Sequence, residues 1–166
     1  MTADVSGPCV LFLIGMRINR LRDVRGWVPV ARAMGPMIAE VAADPRSGFL
    51  SARTWIGWRN ILVQQYWRST EDLIRYASDS GRRHRPAWTD FYRRVGIADG
   101  ASVGIWHETI VIEPGKVETV YGNMPPFGLG EAMGLVPAVG KRESAAQRLA
   151  LRDAGRGEAP HARQDR

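Results

Sequence analysis

"CVLFLIGMRI", residues 9 to 18, is the stretch on which the fold turns. A strand with one wet face alternates apolar and polar residues, whereas this run is almost continuously apolar until Arg17. That is the pattern of a central strand covered on both faces. The run is too short to cross a bilayer, and neither a basic segment before it nor an A-x-A-like site after it marks a secretory leader. The rest of the chain is therefore read for the elements that flank and cover this strand.

From Trp27 to Ala43 the residues Trp27, Val30, Met34, Met37, Ile38 and Val41 recur at helical spacing, with Pro29 tolerable in the first turn. Gly35-Pro36 is expected to kink or split this helix. Asp44-Pro45 and Ser47-Gly48 end it and lead into a second strand, Phe49–Ile56. Gly57 marks a tight turn into a third, Asn60–Arg68. Ser69 is an N-cap with Glu71 and Asp72 in the first turn, where acids complement the helix dipole. The helix it starts carries Leu73, Ile74, Tyr76 and Ala77, breaks near Gly81, and resumes after Pro86 with Trp88, Phe91, Tyr92 and Val95. Val103–Ile112 reads as a fourth strand. Glu113–Lys116 is a turn, and Val117–Asn123 returns as a fifth strand in hairpin with the fourth.

The order βαββαββ predicts an α+β, ferredoxin-like fold: an antiparallel sheet with both helices on one face. The other face needs a cover, and a first strand apolar on both sides points to a second copy. The expectation is a homodimer whose two sheets close into a dimeric α+β barrel. Residues 1–140 form this one domain. Residues 141–166 have no sustained apolar pattern and are expected to be a basic, partly disordered tail.

Composition narrows the function classes. The chain has 166 residues and 45% hydrophobic residues, enough for one self-sufficient core. Its net charge of +6 is spread over "RINRLRDVR", "SGRRHR" and the tail, without the interleaved aromatics of a single-strand binding groove. Neither a nucleic acid nor a membrane is expected as a partner. Cys9 is the only cysteine, which excludes an intrachain disulfide and a cysteine zinc cluster, and a reducing, cytoplasmic setting is expected. The chain carries no zincin motif, P-loop, nucleophile elbow or dinucleotide fingerprint. "GLGEAMG" follows "NMPPF" instead of a strand and reads as a loop, not a phosphate cradle.

The candidate chemistry sits in strands three and four. His107 and Glu108 are consecutive strand residues, so their side chains point to opposite faces. The Glu108 face carries Trp106, Ile110 and Ile112, the bulkier set, and is expected under the helices, with Glu108 paired to Arg68 or Arg53. His107 is then expected in the cavity, as general acid/base or as a haem ligand. Gln64 and Tyr66 share one face of the third strand, and Gln65 and Trp67 the other. Tyr66 or Tyr121 is suited to orient a carbonyl or phenol, and the Asn123 amide to donate at the strand end. Trp67 and Trp106 are candidate walls of an apolar pocket. His84 is expected to face solvent, and His161 lies in the tail. No metal site is expected.

A resemblance covers about Val10 to Val139. "FLIGMRIN", "VQQYWRS", "GIWHETIVI" and "YGNMPPFGLG" followed by "GLVPA" resemble, in order, the signature segments of a family of bacterial and fungal proteins labelled monooxygenase-like and related to the fumagillin-pathway monooxygenase. The resemblance implies a dimeric α+β barrel, the architecture also used by antibiotic-biosynthesis monooxygenases and aldoxime dehydratases. It implies a monooxygenase-like oxidoreductase. Cofactor-free oxygenation needs a substrate that can itself become an electron-rich anion, so a phenolic or enolic apolar molecule is the expected substrate class and no cofactor is required. The alternatives are a haem-dependent, aldoxime dehydratase-like enzyme and a non-catalytic protein that binds an apolar ligand, as in a stress response.

Overall fold

The computed structural model describes residues 1–79, 81, 89 and 100–149. Strands β2 (Cys9–Ile18), β3 (Phe49–Ile56), β4 (Asn60–Trp67) and β5 (Val103–Ile112) form one antiparallel sheet in the order β3-β4-β2-β5. This is the ferredoxin-like arrangement, with the apolar run of β2 hydrogen-bonded on both edges. A bulge between Phe49 and Ser51 shifts the β3–β4 register at the start of the hairpin.

Helix α1 (Val24–Ala42) crosses from β2 to β3. The Asp23 carboxylate accepts from the Gly26 N–H at its start, and Trp27 donates its indole N–H to the Leu21 carbonyl. The helix runs unbroken through Gly35-Pro36, so it is not split there, and the turn beyond carries Met37 and Val41, both buried. Helix α2 (Thr70–Ser78) is capped by Ser69, which accepts from the Asp72 N–H at 3.2 Å. The expected continuation of α2 after Pro86, with Trp88, Phe91, Tyr92 and Val95, lies outside the described residues.

The helices cover one face of the sheet. Val10, Val41, Trp67 and Leu73 are buried together there with Phe12, Phe49 and Tyr76 around them. At the far end Met16, Ile18 and Val103 are buried against Trp27, Val30 and Ala31 of α1.

The expected fifth strand does not form. Val117–Asn123 has no regular secondary structure and makes no ladder with β5, which is an edge strand among the described residues. The segment binds the chain's first residues instead: the Met1 amino group donates to the Tyr121 carbonyl at 3.1 Å, and the Tyr121 N–H returns to the Met1 carbonyl at 2.9 Å. Thr119 Oγ1 accepts from the Ala3 N–H at 2.8 Å. The two-residue strand β1 (Thr2–Ala3) pairs with β6 (Leu135–Val136), just after the short helix α3 (Leu129–Met133). Burial explains the difference. Val117 and Tyr121 pack with Ala3, Cys9, Tyr66, Ile112 and Leu129 over the second face of the sheet, a gain that edge pairing along β5 does not offer. Residues 140–149 fold back as a 3₁₀ turn and helix α4 (Ala145–Arg148). Arg148 fastens them, donating through Nε to Glu118 at 3.0 Å and through Nη1 to the carbonyls of Arg142 and Glu143.

Candidate active site on the open sheet face

Ladder partners in an antiparallel sheet point to the same side, so the register decides which residues meet. The α1 side carries Phe12 and Ile14 of β2, which line an apolar pocket with Met34, Met37 and Ile38 of α1. The residues between them, Leu11, Leu13 and Gly15, point the other way. Reading across the four strands on that second face gives three tiers: Trp55, Leu62, Gly15 and Trp106; then Arg53, Gln64, Leu13 and Glu108; then Ser51, Tyr66, Leu11 and Ile110.

His107 belongs to the opposite tier, with Thr54, Val63 and Ile14, and its ring centroid lies 5.7 Å from that of Phe12. The expected faces of His107 and Glu108 are therefore reversed. The bulk of neighbours along β5 misleads because Trp106 needs no helix to receive it. Its indole lies over Gly15, where an added Cβ would come within 2.5 Å of Trp106 Nε1. Glu108 stands exposed on the open face between Trp106 and Ile110. It is paired with neither predicted arginine: Arg53 Nη2 binds Glu131 Oε2 at 2.8 Å, and Arg68 Nε binds Asp72 Oδ2 at 2.9 Å. Among the described residues Glu108 has no ion pair.

A hydrogen-bonded line runs along the middle of this face. Trp55 Nε1 donates to Gln64 Oε1 at 3.2 Å, and Gln64 Nε2 donates to the Tyr66 hydroxyl at 2.7 Å. Burial pushes the Tyr66 pKa up, outweighing the opposing hydrogen bond from Gln64, so the phenol stays protonated and is a donor. The segment after Asn123 arches over the line. The Phe127 ring lies 3.9 Å from the Arg53 guanidinium carbon and edge-on to Trp55. Gly128 has φ +55°, and a Cβ there would come within 3.4 Å of the Tyr66 hydroxyl. The Gly130 N–H donates to the Tyr121 hydroxyl at 2.8 Å, which holds the arch to the chain before it. Ser51 Oγ and Arg53 Nε are buried beside these groups without a hydrogen-bond partner.

Of the residues singled out from sequence, Gln64, Tyr66, Trp106 and Glu108 share the open face, and Tyr121 packs at its end. Trp67 does not join them: it is wholly buried on the helix side, edge-on to Phe49, with its indole N–H on Gln65 Oε1 at 3.0 Å. Arg68 serves the α2 N-terminus. Asp72 is buried there, and although burial raises its pKa, hydrogen bonds from Arg68 and Arg75 outweigh this and leave it lowered. Asn123 is an exposed turn residue at φ +52°. Trp55, Arg53, Phe127 and Glu131 were not singled out as pocket residues, yet the two-residue alternation of β3 with β4 would have placed Trp55 and Arg53 beside Gln64.

His107 faces away from this open face, so it does not fit as the axial ligand of a haem seated there. His84 and His161 lie outside the described residues. Among the described residues no cluster of three or more His, Cys, Asp or Glu side chains is placed to hold a metal ion. What the face offers is a protonated phenol, one side-chain amide and a carboxylate without an ion pair among the described residues, set among Trp55, Leu13, Trp106 and Ile110 beside the Arg53–Glu131 pair. Chemically, a carboxylate beside a hydrogen-bond-donating phenol is the kind of set that can accept a proton and stabilise an oxyanion.

The family model described as monooxygenase af470-like matches residues 9–129. Monooxygenase af470 of Aspergillus fumigatus is 24% identical over 134 residues, covering 75% of this chain and 46% of that protein, so the chain spans about half the length of this relative. Among solved structures, SnoaB, a cofactor-independent oxygenase from Streptomyces nogalater, is 12% identical, with 70% of this chain and 97% of that one covered at a TM-score of 0.45. A dimeric protein of unknown function and ferredoxin-like fold from Bacteroides fragilis is 12% identical, with 63% and 95% covered at a TM-score of 0.44. With most of its length matched by the family model, the chain belongs to the monooxygenase af470-like family.

Proposed function

We propose that this protein is a monooxygenase-like oxidoreductase acting on a small apolar phenol or enolisable ketone bound against the open sheet face. The observation that carries the reading is the shared face of Glu108, Gln64 and Tyr66, flanked by Trp55, Leu13, Trp106 and Ile110. Glu108 takes the substrate proton, and the Tyr66 O–H, polarised by the Gln64 amide, donates to the oxyanion left behind. The electron-rich anion reduces dioxygen and a carbon–oxygen bond forms. The hydroperoxide then breaks its O–O bond as water leaves: the substrate loses two hydrogens and gains one oxygen atom, and the second oxygen departs as water. Dioxygen is the only oxidant required, and no cofactor enters the balance.

A second copy of the chain closes the pocket in this reading. Trp55, Trp106 and Ile110 are each more than 40% exposed on the open face, a cost that burial against a partner sheet removes. Cys9 is buried and burial raises its pKa, so it acts as packing and not as a nucleophile, which suits a cytoplasmic setting.

The test is dioxygen uptake with a panel of polycyclic phenols and enolisable ketones under isotopically labelled dioxygen. The expected product carries one labelled atom per uptake event. Glu108→Gln should lower kcat by about a hundredfold or more. A panel member that binds at micromolar concentration without any uptake would instead make the protein a ligand binder.

A further inference from the structure

One end of the sheet carries a patch that the open-face chemistry does not use. The β3–β4 hairpin tip exposes Ile56 by 80% and Trp58 by 86%, and Leu21 in the neighbouring β2–α1 loop and Val24 at the start of α1 are exposed beside it. The two segments are tied together: Arg59 Nε donates to the Ile18 carbonyl at 2.8 Å, the Ile18 N–H to the Arg59 carbonyl at 2.7 Å, and Arg17 is the ladder partner of Asn60. The patch is also cationic. Residues 17–25 and 55–60 contain Arg17, Arg20, Arg22, Arg25 and Arg59 against the single carboxylate of Asp23. Asp23 is already occupied, by the Gly26 N–H and the Ser102 hydroxyl.

We infer that this end of the molecule docks on an anionic lipid bilayer, with Trp58 and Ile56 entering the headgroup–acyl boundary and the arginines resting on the headgroup phosphates. The combination selects this partner. Tryptophan at a tip is suited to the boundary layer, where its ring is apolar and its N–H stays wet. Arginines around it add roughly fivefold each in affinity for an anionic surface. A nucleic acid would use the arginines and could stack on Trp58, but it offers nothing to the aliphatic Ile56, Leu21 and Val24, which only an apolar medium takes up. The contact is peripheral: among the described residues no helix is long and apolar enough to cross a membrane. It departs from the sequence-based expectation that no membrane is a partner.

The experiment is co-sedimentation of the full chain with vesicles of equal parts phosphatidylglycerol and phosphatidylcholine, and with phosphatidylcholine alone. Binding is expected only to the anionic vesicles and should weaken with salt. Trp58→Ser should lower it by about tenfold or more, as expected for loss of one buried aromatic anchor, and Arg22→Ala with Arg25→Ala together by about 25-fold. All of these side chains are exposed, so melting temperatures should match wild type and the oligomeric state should not change. The proposal is overturned by equal binding to neutral vesicles, by wild-type binding of Trp58→Ser, by a Trp58→Ser chain that dissociates into monomers, or by Trp58-dependent binding to a single-stranded oligonucleotide with none to vesicles.

Discussion

Replacing Gly15 by alanine tests the face assignment from inside the sheet. An ideal Cβ at position 15 would lie 2.5 Å from Trp106 Nε1 and 2.7 Å from Trp106 Cε2, both far inside contact distance. Overpacking of this kind costs about 1–3 kcal/mol. Alanine in a strand interior is otherwise better than glycine by roughly 0.5–1 kcal/mol, so the net loss in the wild-type background should be about 0–2.5 kcal/mol. In a Trp106→Ala background the clash is gone and only the backbone gain remains, so the same change should be neutral or stabilising. The four proteins form a double-mutant cycle, measured by urea unfolding, with an expected coupling of about 1–3 kcal/mol. Additivity within about 0.5 kcal/mol would mean that Trp106 does not lie over Gly15, and the tiers built on it would fall.

Asp72→Ala should destabilise by about 2 kcal/mol, lowering Tm by roughly 4–8 °C in a melt followed by circular dichroism; the cost stays moderate because the abandoned Arg68 and Arg75 are well exposed. Because the folded pKa of Asp72 is lowered, its contribution is present above the unfolded carboxylate pKa of about 4 and is lost as pH falls through the folded value. Melts of Asp72→Asn should therefore show a flatter acid limb than wild type. Arg148→Ala, which frees residues 140–149 from Glu118, should lower Tm by about 3–6 °C, whereas an unchanged Tm would show that this segment adds nothing to the fold. Light scattering should give about twice the 18.4 kDa chain mass, and Trp106→Glu, which places a charge in the proposed partner contact, should give the monomer mass.

The central sheet was legible because its signals are local. An unbroken apolar run gave β2, alternation bounded by Gly57 gave the hairpin, and Ser69 with Asp72 gave the start of α2. What failed depends on partners distant in sequence. Val117–Asn123 has the residue types of a strand, yet its partner is the chain's beginning, 117 positions from Thr119 in the case of Thr2. Strand alternation correctly separated His107 from Glu108, but the choice of inner face needed the register against β2. A glycine at position 15 was the available clue, since a glycine inside a strand often marks the close approach of a bulky neighbour. Arg68 was assigned to the sheet although the acid four residues on, Asp72, was its nearer partner along the helix start.

Turnover of Glu108→Gln and His107→Ala, compared side by side with one oxidisable substrate, tests the assignment of chemistry to the open face most directly. The account predicts that Glu108→Gln loses about a hundredfold or more in kcat while remaining folded. His107→Ala, whose side chain lies on the helix side against Phe12, should keep kcat within about threefold of wild type, a difference of less than 1 kcal/mol in barrier. The opposite pattern, an inactive but folded His107→Ala and a fully active Glu108→Gln, would contradict it.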